Sequence, residues 1–364
     1  MKKMLLTVAG HQIQINSFNA ELDANFKNLY AAYFGSGTCE WDKLNMAAKC
    51  FFQQNWGRRE FNKAHDDYFG NFIPIWEQFF LSRRFSEAEN IWRQALTPAL
   101  ELVGEMGCDG IHKGTPYYFS GMTAIIRGNL EQGFLLMHQA YEEDRATFDT
   151  KIPNNPALAF VTLDFGNERQ AFRDWVLDHA RFLESSINAY VALYNREFSL
   201  DSFRRHFLSP EDNIERAIYF VYILARIKTL WEIREQPGRV LRSDFAGELV
   251  MDVLFGLIRG IEDSIVNRNP NNSNGMYGAQ VKYLAESAGC SFSTSLTGIY
   301  DFKEKDLDDF LTERLAIHRG NIVQDKQTDI LITYAIRNNA GHMIVPSKIV
   351  RDYFETIIQA CLNV

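Results

Sequence analysis

Residues Thr333 to Ile344 read TYAIRNNAGHMI, which puts Arg337, Asn338, Asn339 and His342 within six residues. Arginine is a permanent cation whose planar fork can hold a phosphate through two hydrogen bonds. Histidine titrates near neutrality, so it can accept or deliver a proton at pH 7. A fixed cation next to a proton carrier is what cleavage of a phosphodiester needs. Arg337 and His342 are therefore the candidate catalytic residues, and Asn338 and Asn339 the candidate substrate-binding ones. An asparagine can bond a phosphate oxygen and its own neighbours at once, which would fix the geometry.

The elements around this string would have to position it. Ile330, Leu331, Ile332, Tyr334 and Ile336 precede it as an apolar run, and a second run with helical spacing follows from Pro346 to Val364. On a helix, residues 338 and 342 share a face, and Arg337 is offset by one position but long enough to reach it. Gly341 weakens the helix beside His342 and leaves room for a bend or a ligand. Spacing alone does not single the string out, because Arg58 and Arg59 stand similarly before His65, and Arg173 before His179. A structural reading also exists: Arg337 as an ion-pairing residue, His342 bonded to a helix end, and Asn339-Ala340-Gly341 as a C-cap before Pro346.

The string Arg337-Asn338-Asn339-Ala340-Gly341-His342, near the end of a helical region and followed by one more helix, resembles the motif of the HEPN family. The resemblance covers about residues 210 to 364, with the short motif its specific part. It implies a small helical bundle that dimerises about a two-fold axis and a metal-independent endoribonuclease needing no cofactor. His342 would handle the RNA 2′-hydroxyl proton and Arg337 would stabilise charge at phosphorus, giving a 2′,3′-cyclic phosphate and a 5′-hydroxyl. The competing expectation is a non-catalytic helical adaptor, or a module that binds a nucleotide or RNA without cutting it.

Composition narrows the setting. The net charge is −8, and from Lys303 to Lys348 seven basic residues face seven acidic ones, so RNA must be held at a local site and not in a broad basic groove. Five scattered cysteines without a CxxC pair argue for reduced thiols and against a zinc site. No apolar run approaches a membrane span, and a soluble, cytoplasmic protein is expected. There is no P-loop, no HExxH and no glycine-rich dinucleotide loop, and Gly35-Ser36-Gly37 lacks a nucleophile's surroundings.

The expected fold is all-α: a helical-hairpin region over residues 1–208, then a HEPN-like bundle over 209–364. LLTVAGHQIQI (Leu5 to Ile15) is the one strand signal, a short hairpin around Gly10. Helical spacing covers Asn19–Tyr33, Trp41–Gln54, Tyr68–Ser82, Phe85–Val103, Asn129–Phe148 and about Asn167–Arg196. Gly121, Gly133 and Ala140, with Ala88 and Ala95 upstream, resemble the small-residue positions of tetratricopeptide repeats or simply mark close helix packing. This region is the place for a protein partner. Pro153 and Pro156 break the chain, and Ser209-Pro210-Glu211-Asp212 reads as a helix start. Helices then follow over Ser243–Asn267, Met276–Ala288, Asp306–His318, Thr328–Ala340 and Ser347–Leu362, with an Asn-rich loop at Asn267–Gly275. His65 and His179 are read as structural, Glu313-Arg314-His318-Arg319 as a solvated helix end, and Glu262 and Asp263 as surface partners of Arg259.

Overall fold

The computed structural model describes residues 2–35, 37–148, 156–163, 170–209, 214–235, 244–268, 277–287, 289, 304–317, 322–342, 344 and 347–364. The Ser209–Asp212 helix start, the Pro153 break, the Asn-rich loop and His318 lie wholly or partly outside these residues.

Strands β1 (Lys2–Val8) and β2 (His11–Ser17) pair antiparallel, from Lys2 opposite Ser17 to Val8 opposite His11. Ala9 and Gly10 both take positive φ, 49° and 84°, the mirror-image turn whose twist matches the strands it joins. This is the hairpin expected from the alternation around Gly10. The other regular elements among the described residues are helices, so the protein is predominantly α.

The chain divides into two compact units, Met1–Phe160 with Phe165–Arg173 and Val161–Asp164 with Asp174–Val364. In the first unit the hairpin is followed by α1 (Ala20–Phe34), α2 (Trp41–Gln54), α3 (Asn62–Gly70), α4 (Ile73–Leu81), α5 (Phe85–Met106), α6 (Gly114–Arg127), α7 (Leu130–Phe148) and α8 (Pro156–Val161). Where one helix was expected over Tyr68–Ser82, α3 and α4 meet at a corner. Asn71 holds that corner by exchanging hydrogen bonds with the backbone of Asn16 (2.7 and 2.9 Å), and its carbonyl accepts from the Tyr30 hydroxyl at 2.7 Å. The core is aromatic. Trp92 stacks on Phe119 at 5.3 Å, and the Trp76 indole N–H donates to Thr123 Oγ1 at 2.9 Å.

Helices α6 and α7 form a tight hairpin. A Cβ on Gly121 would lie 3.1 Å from the Gly133 carbonyl oxygen, and one on Gly133 equally close to that of Gly121. Small residues there let the two backbones approach, as do Ala88, Ala95 and Ala140 where they are buried.

The second unit holds most of α9 (Gln170–Tyr194), then α10 (Leu200–Phe207), α11 (Ile214–Glu235), α12 (Asp244–Arg268), α13 (Tyr277–Ser287), α14 (Glu304–Ile317), α15 (Ile322–His342), α16 (Lys348–Asp352) and α17 (Phe354–Asn363). The division falls upstream of the Ser209 boundary read from the sequence. The reason is that α9 is tied into the later helices: Asp178 pairs with Lys228 at 2.6 Å, Phe182 packs edge-on to Trp231, and the Tyr190 hydroxyl donates to Asn363 Oδ1 at 3.4 Å. A capping signal reports a local helix start, whereas a boundary depends on which faces bury one another. α15 lies at the centre of this unit, packed by α12, α13, α14 and α17. Residues 328–336 are all buried, which is why its apolar run shows no one-sided pattern. The final helix expected over Ser347–Leu362 is two, broken at Tyr353.

Among the described residues, no helix is long and apolar enough to cross a membrane.

Candidate functional site

The Arg337–His342 string forms the C-terminal end of α15, with Asn339-Ala340-Gly341 still helical in its last turn. The Arg337 guanidinium is part-exposed and lies against the Glu262 carboxylate, with Nε 3.3 Å from Oε2 and Nη2 3.5 Å from Oε1. Its Nη1 is 3.5 Å from Asn338 Oδ1. Glu262 is thus a partner of Arg337 across α12 and α15, while Arg259 lies over the Tyr219 ring and Asp263 pairs with Arg216 at 3.6 Å. Both acids are ion-paired, as the sequence suggested, but with Arg337 and Arg216 from other helices. Asn338 and Asn339 are both buried, and Asn339 Nδ2 donates to the Ala335 carbonyl one turn back at 2.8 Å. Asn338 Nδ2 is buried without a hydrogen-bond partner. In this arrangement the Asn339 amide bonds its own helix, and both side chains are too buried to offer a surface to RNA. The His342 side chain lies outside the described residues.

A second constellation, in the first unit, was not singled out from the sequence. It is built where α3, the segment Asp109–Lys113 leading into α6, and α7 meet. The His112 imidazole is 97% shielded and has carboxylates on its outer side: Nε2 lies 3.2 Å from Asp144 Oδ1 and 3.6 Å from Asp66 Oδ1. Its other nitrogen, Nδ1, lies 2.9 Å from Thr147 Oγ1. That threonine hydroxyl already donates to the Glu143 carbonyl at 2.7 Å, so it must accept from His112, and Nδ1 carries a hydrogen. Nε2 is left to face the two acids. The hydrogen bond to Asp144 and the field of Asp66 raise the His112 pKa against the opposing effect of burial. Burial raises that of Asp66, which also accepts from the Thr115 hydroxyl at 2.9 Å.

His65 supports this group from behind. Its Nδ1 accepts the His112 backbone N–H at 3.0 Å and its Nε2 donates to the Asn55 carbonyl at 2.7 Å, which fixes the neutral tautomer. Burial lowers its pKa to about 4. The structural role expected of His65 therefore holds, as it does for His179, which is buried, stacked on Trp175 and likewise lowered to about 4 by burial.

Beside the imidazole, buried Lys113 joins Asp109 (2.8 Å), Glu143 (3.0 Å) and the Ile111 carbonyl (2.8 Å), and Arg58 pairs with the same two acids. Two cations and two anions thus close on themselves. Gly114 is required where it stands, because a Cβ there would lie 2.9 Å from both Asp144 Oδ1 and His112 Nε2. A cavity of about 260 Å³ opens in front of the group, with Asp66, His112, Thr115 and Asp144 on one side and Tyr118 and Phe148 among its walls.

The sequence carried a faint sign of this site. Asp109-Gly110-Ile111-His112-Lys113-Gly114 brackets a histidine and a lysine with glycines just before a helix, but its acids come from Asp66 and Asp144, far apart in the chain. Among the described residues, no group of three His, Cys, Asp or Glu side chains is placed to hold a metal ion. Compared with known protein families, with curated proteins and with solved structures, the chain matches none.

Proposed function

We propose that the second unit is a metal-independent endoribonuclease of HEPN type, with Arg337 and His342 as its catalytic pair. The observation that carries this reading is how the Arg337 side chain is engaged. Its guanidinium fork is part-exposed and faces the two oxygens of one carboxylate, the arrangement in which arginine also receives a phosphate. Glu262 then occupies the place of the scissile phosphate and leaves when RNA enters. Asn338, beside the guanidinium, steers its second edge. His342, five residues on in the same helix, would act on the 2′-hydroxyl, and a two-fold dimer would bring two copies of the motif together.

The rival reading is a helical adaptor in which Arg337 and Glu262 simply tie α15 to α12. It is favoured by the burial of Asn338 and Asn339 and by the low exposure of Glu262, 13%. Incubation of mixed-sequence RNA with the wild type, Arg337→Ala and His342→Ala in excess EDTA separates the two. The nuclease reading expects chelator-resistant cleavage that both folded variants lose, with cyclic phosphate ends. An inert wild type, or equal cleavage by all three, leaves the adaptor.

A further inference from the structure

We propose that the cavity beside His112 is a binding site for a small organic cation, an amine or amidine with an aromatic body, gripped by Asp66 and Asp144. The inference is independent of any ribonuclease activity, since every residue it uses belongs to the first unit.

Charge is the first argument. Arg58 and Lys113 are consumed by Asp109 and Glu143, so they do not offset the acids that face the cavity. There, two carboxylates meet one imidazole, which leaves an excess of negative charge even with His112 protonated. In a partly desolvated recess, that excess favours a cation more strongly than the same charges would in water.

Hydrogen-bonding capacity is the second. Asp66 Oδ1 accepts from the Thr115 hydroxyl, with His112 Nε2 farther off at 3.6 Å, and Asp144 Oδ1 lies 3.2 Å from His112 Nε2. The other oxygen of each carboxylate takes no hydrogen bond from a described residue, so two acceptors remain for the N–H groups of a ligand. His112 has no lone pair to spare at Nδ1, and its Nε2 is oriented toward the acids. The free carboxylate oxygens suit a ligand that brings its own N–H donors.

The walls supply the third. Tyr118 and Phe148 flank the acids, and Ala140, Pro156 and Ala157 complete an apolar lining. Aromatic faces attract a cation and also cover an apolar body. About 260 Å³ is below the roughly 300–1,000 Å³ typical of drug-sized ligands, which points to a molecule the size of a simple arylalkylamine.

The test is calorimetric titration of the full-length protein with benzylamine, its neutral isostere benzyl alcohol, and Mn²⁺ separately. Wild type is expected to bind benzylamine 1:1 and at least about tenfold more tightly than benzyl alcohol. Asp144→Asn and Asp66→Asn, both close in shape to the originals, are each expected to weaken the amine by about tenfold or more with little effect on the alcohol. Because the Asp66 side chain is 41% exposed, its amide variant is expected to fold as the wild type does, which circular dichroism checks. Equal affinity for amine and alcohol, amine binding unchanged in a folded Asp66→Asn protein, or saturable binding of Mn²⁺ with none of the amine would each overturn the proposal.

Discussion

The backbone N–H of His112 donates to Nδ1 of His65 across 3.0 Å, so one buried histidine holds another in place through its bare nitrogen. The bond exists only while His65 is neutral, because a proton on Nδ1 would remove the acceptor and set two N–H groups against each other.

A pH dependence follows. The His65 pKa falls from 6.5 in an ordinary setting to about 4 in the fold. Between those values the unfolded chain binds a proton that the native protein does not, so stability rises with pH through this window and is lost as pH falls from 6.5 toward about 4. Urea denaturation of wild type and His65→Gln at a series of pH values should show a shallower slope in the variant. Parallel slopes would mean that His65 does not titrate as its burial requires.

Gly114 and Gly104 offer a matched pair. A methyl at Gly114 would press on His112 and Asp144, whereas one at Gly104, inside α5, would meet nothing within 4 Å. Gly114→Ala is expected to cost roughly 1–3 kcal/mol. Gly104→Ala is expected to add about 0.5–1 kcal/mol through helix propensity. Denaturant midpoints of the two variants against wild type decide it, and a neutral Gly114→Ala would show that the cluster yields easily.

Asn338 keeps a buried amide nitrogen without a partner. An unpaired buried polar group costs about 1–3 kcal/mol, so Asn338→Leu should leave thermal stability unchanged or raise it. If the same variant abolishes RNA cleavage while staying folded, the amide is kept for the site and not for the fold. A clear drop in melting temperature would contradict the unpaired state.

Arg337 and Glu262 are expected to couple in a double-mutant cycle of Arg337→Met and Glu262→Gln, by roughly 0.5–1.5 kcal/mol for a partly buried pair. Under the nuclease reading, Glu262→Gln should also tighten RNA binding, since it removes the carboxylate that competes with phosphate. Coupling in stability with unaltered RNA affinity would favour the tie between helices.

What the sequence determined by itself was local. Alternation about Gly10 specified the hairpin, three-to-four-residue apolar spacing specified most helices, and the small residues of α6 and α7 specified close packing, because each rests on neighbours in the chain. The string at Arg337 was legible for the same reason, as six consecutive residues. Tertiary structure decided the rest. It bonded Asn71 to Asn16 and so broke one expected helix, and it tied α9 to α11 and moved the division upstream of Ser209. It also set Glu262 against Arg337, and gathered His65, Asp66, His112 and Asp144 from three separate stretches into one cluster. No periodicity encodes such meetings, since they depend on which buried faces find each other once the helices pack.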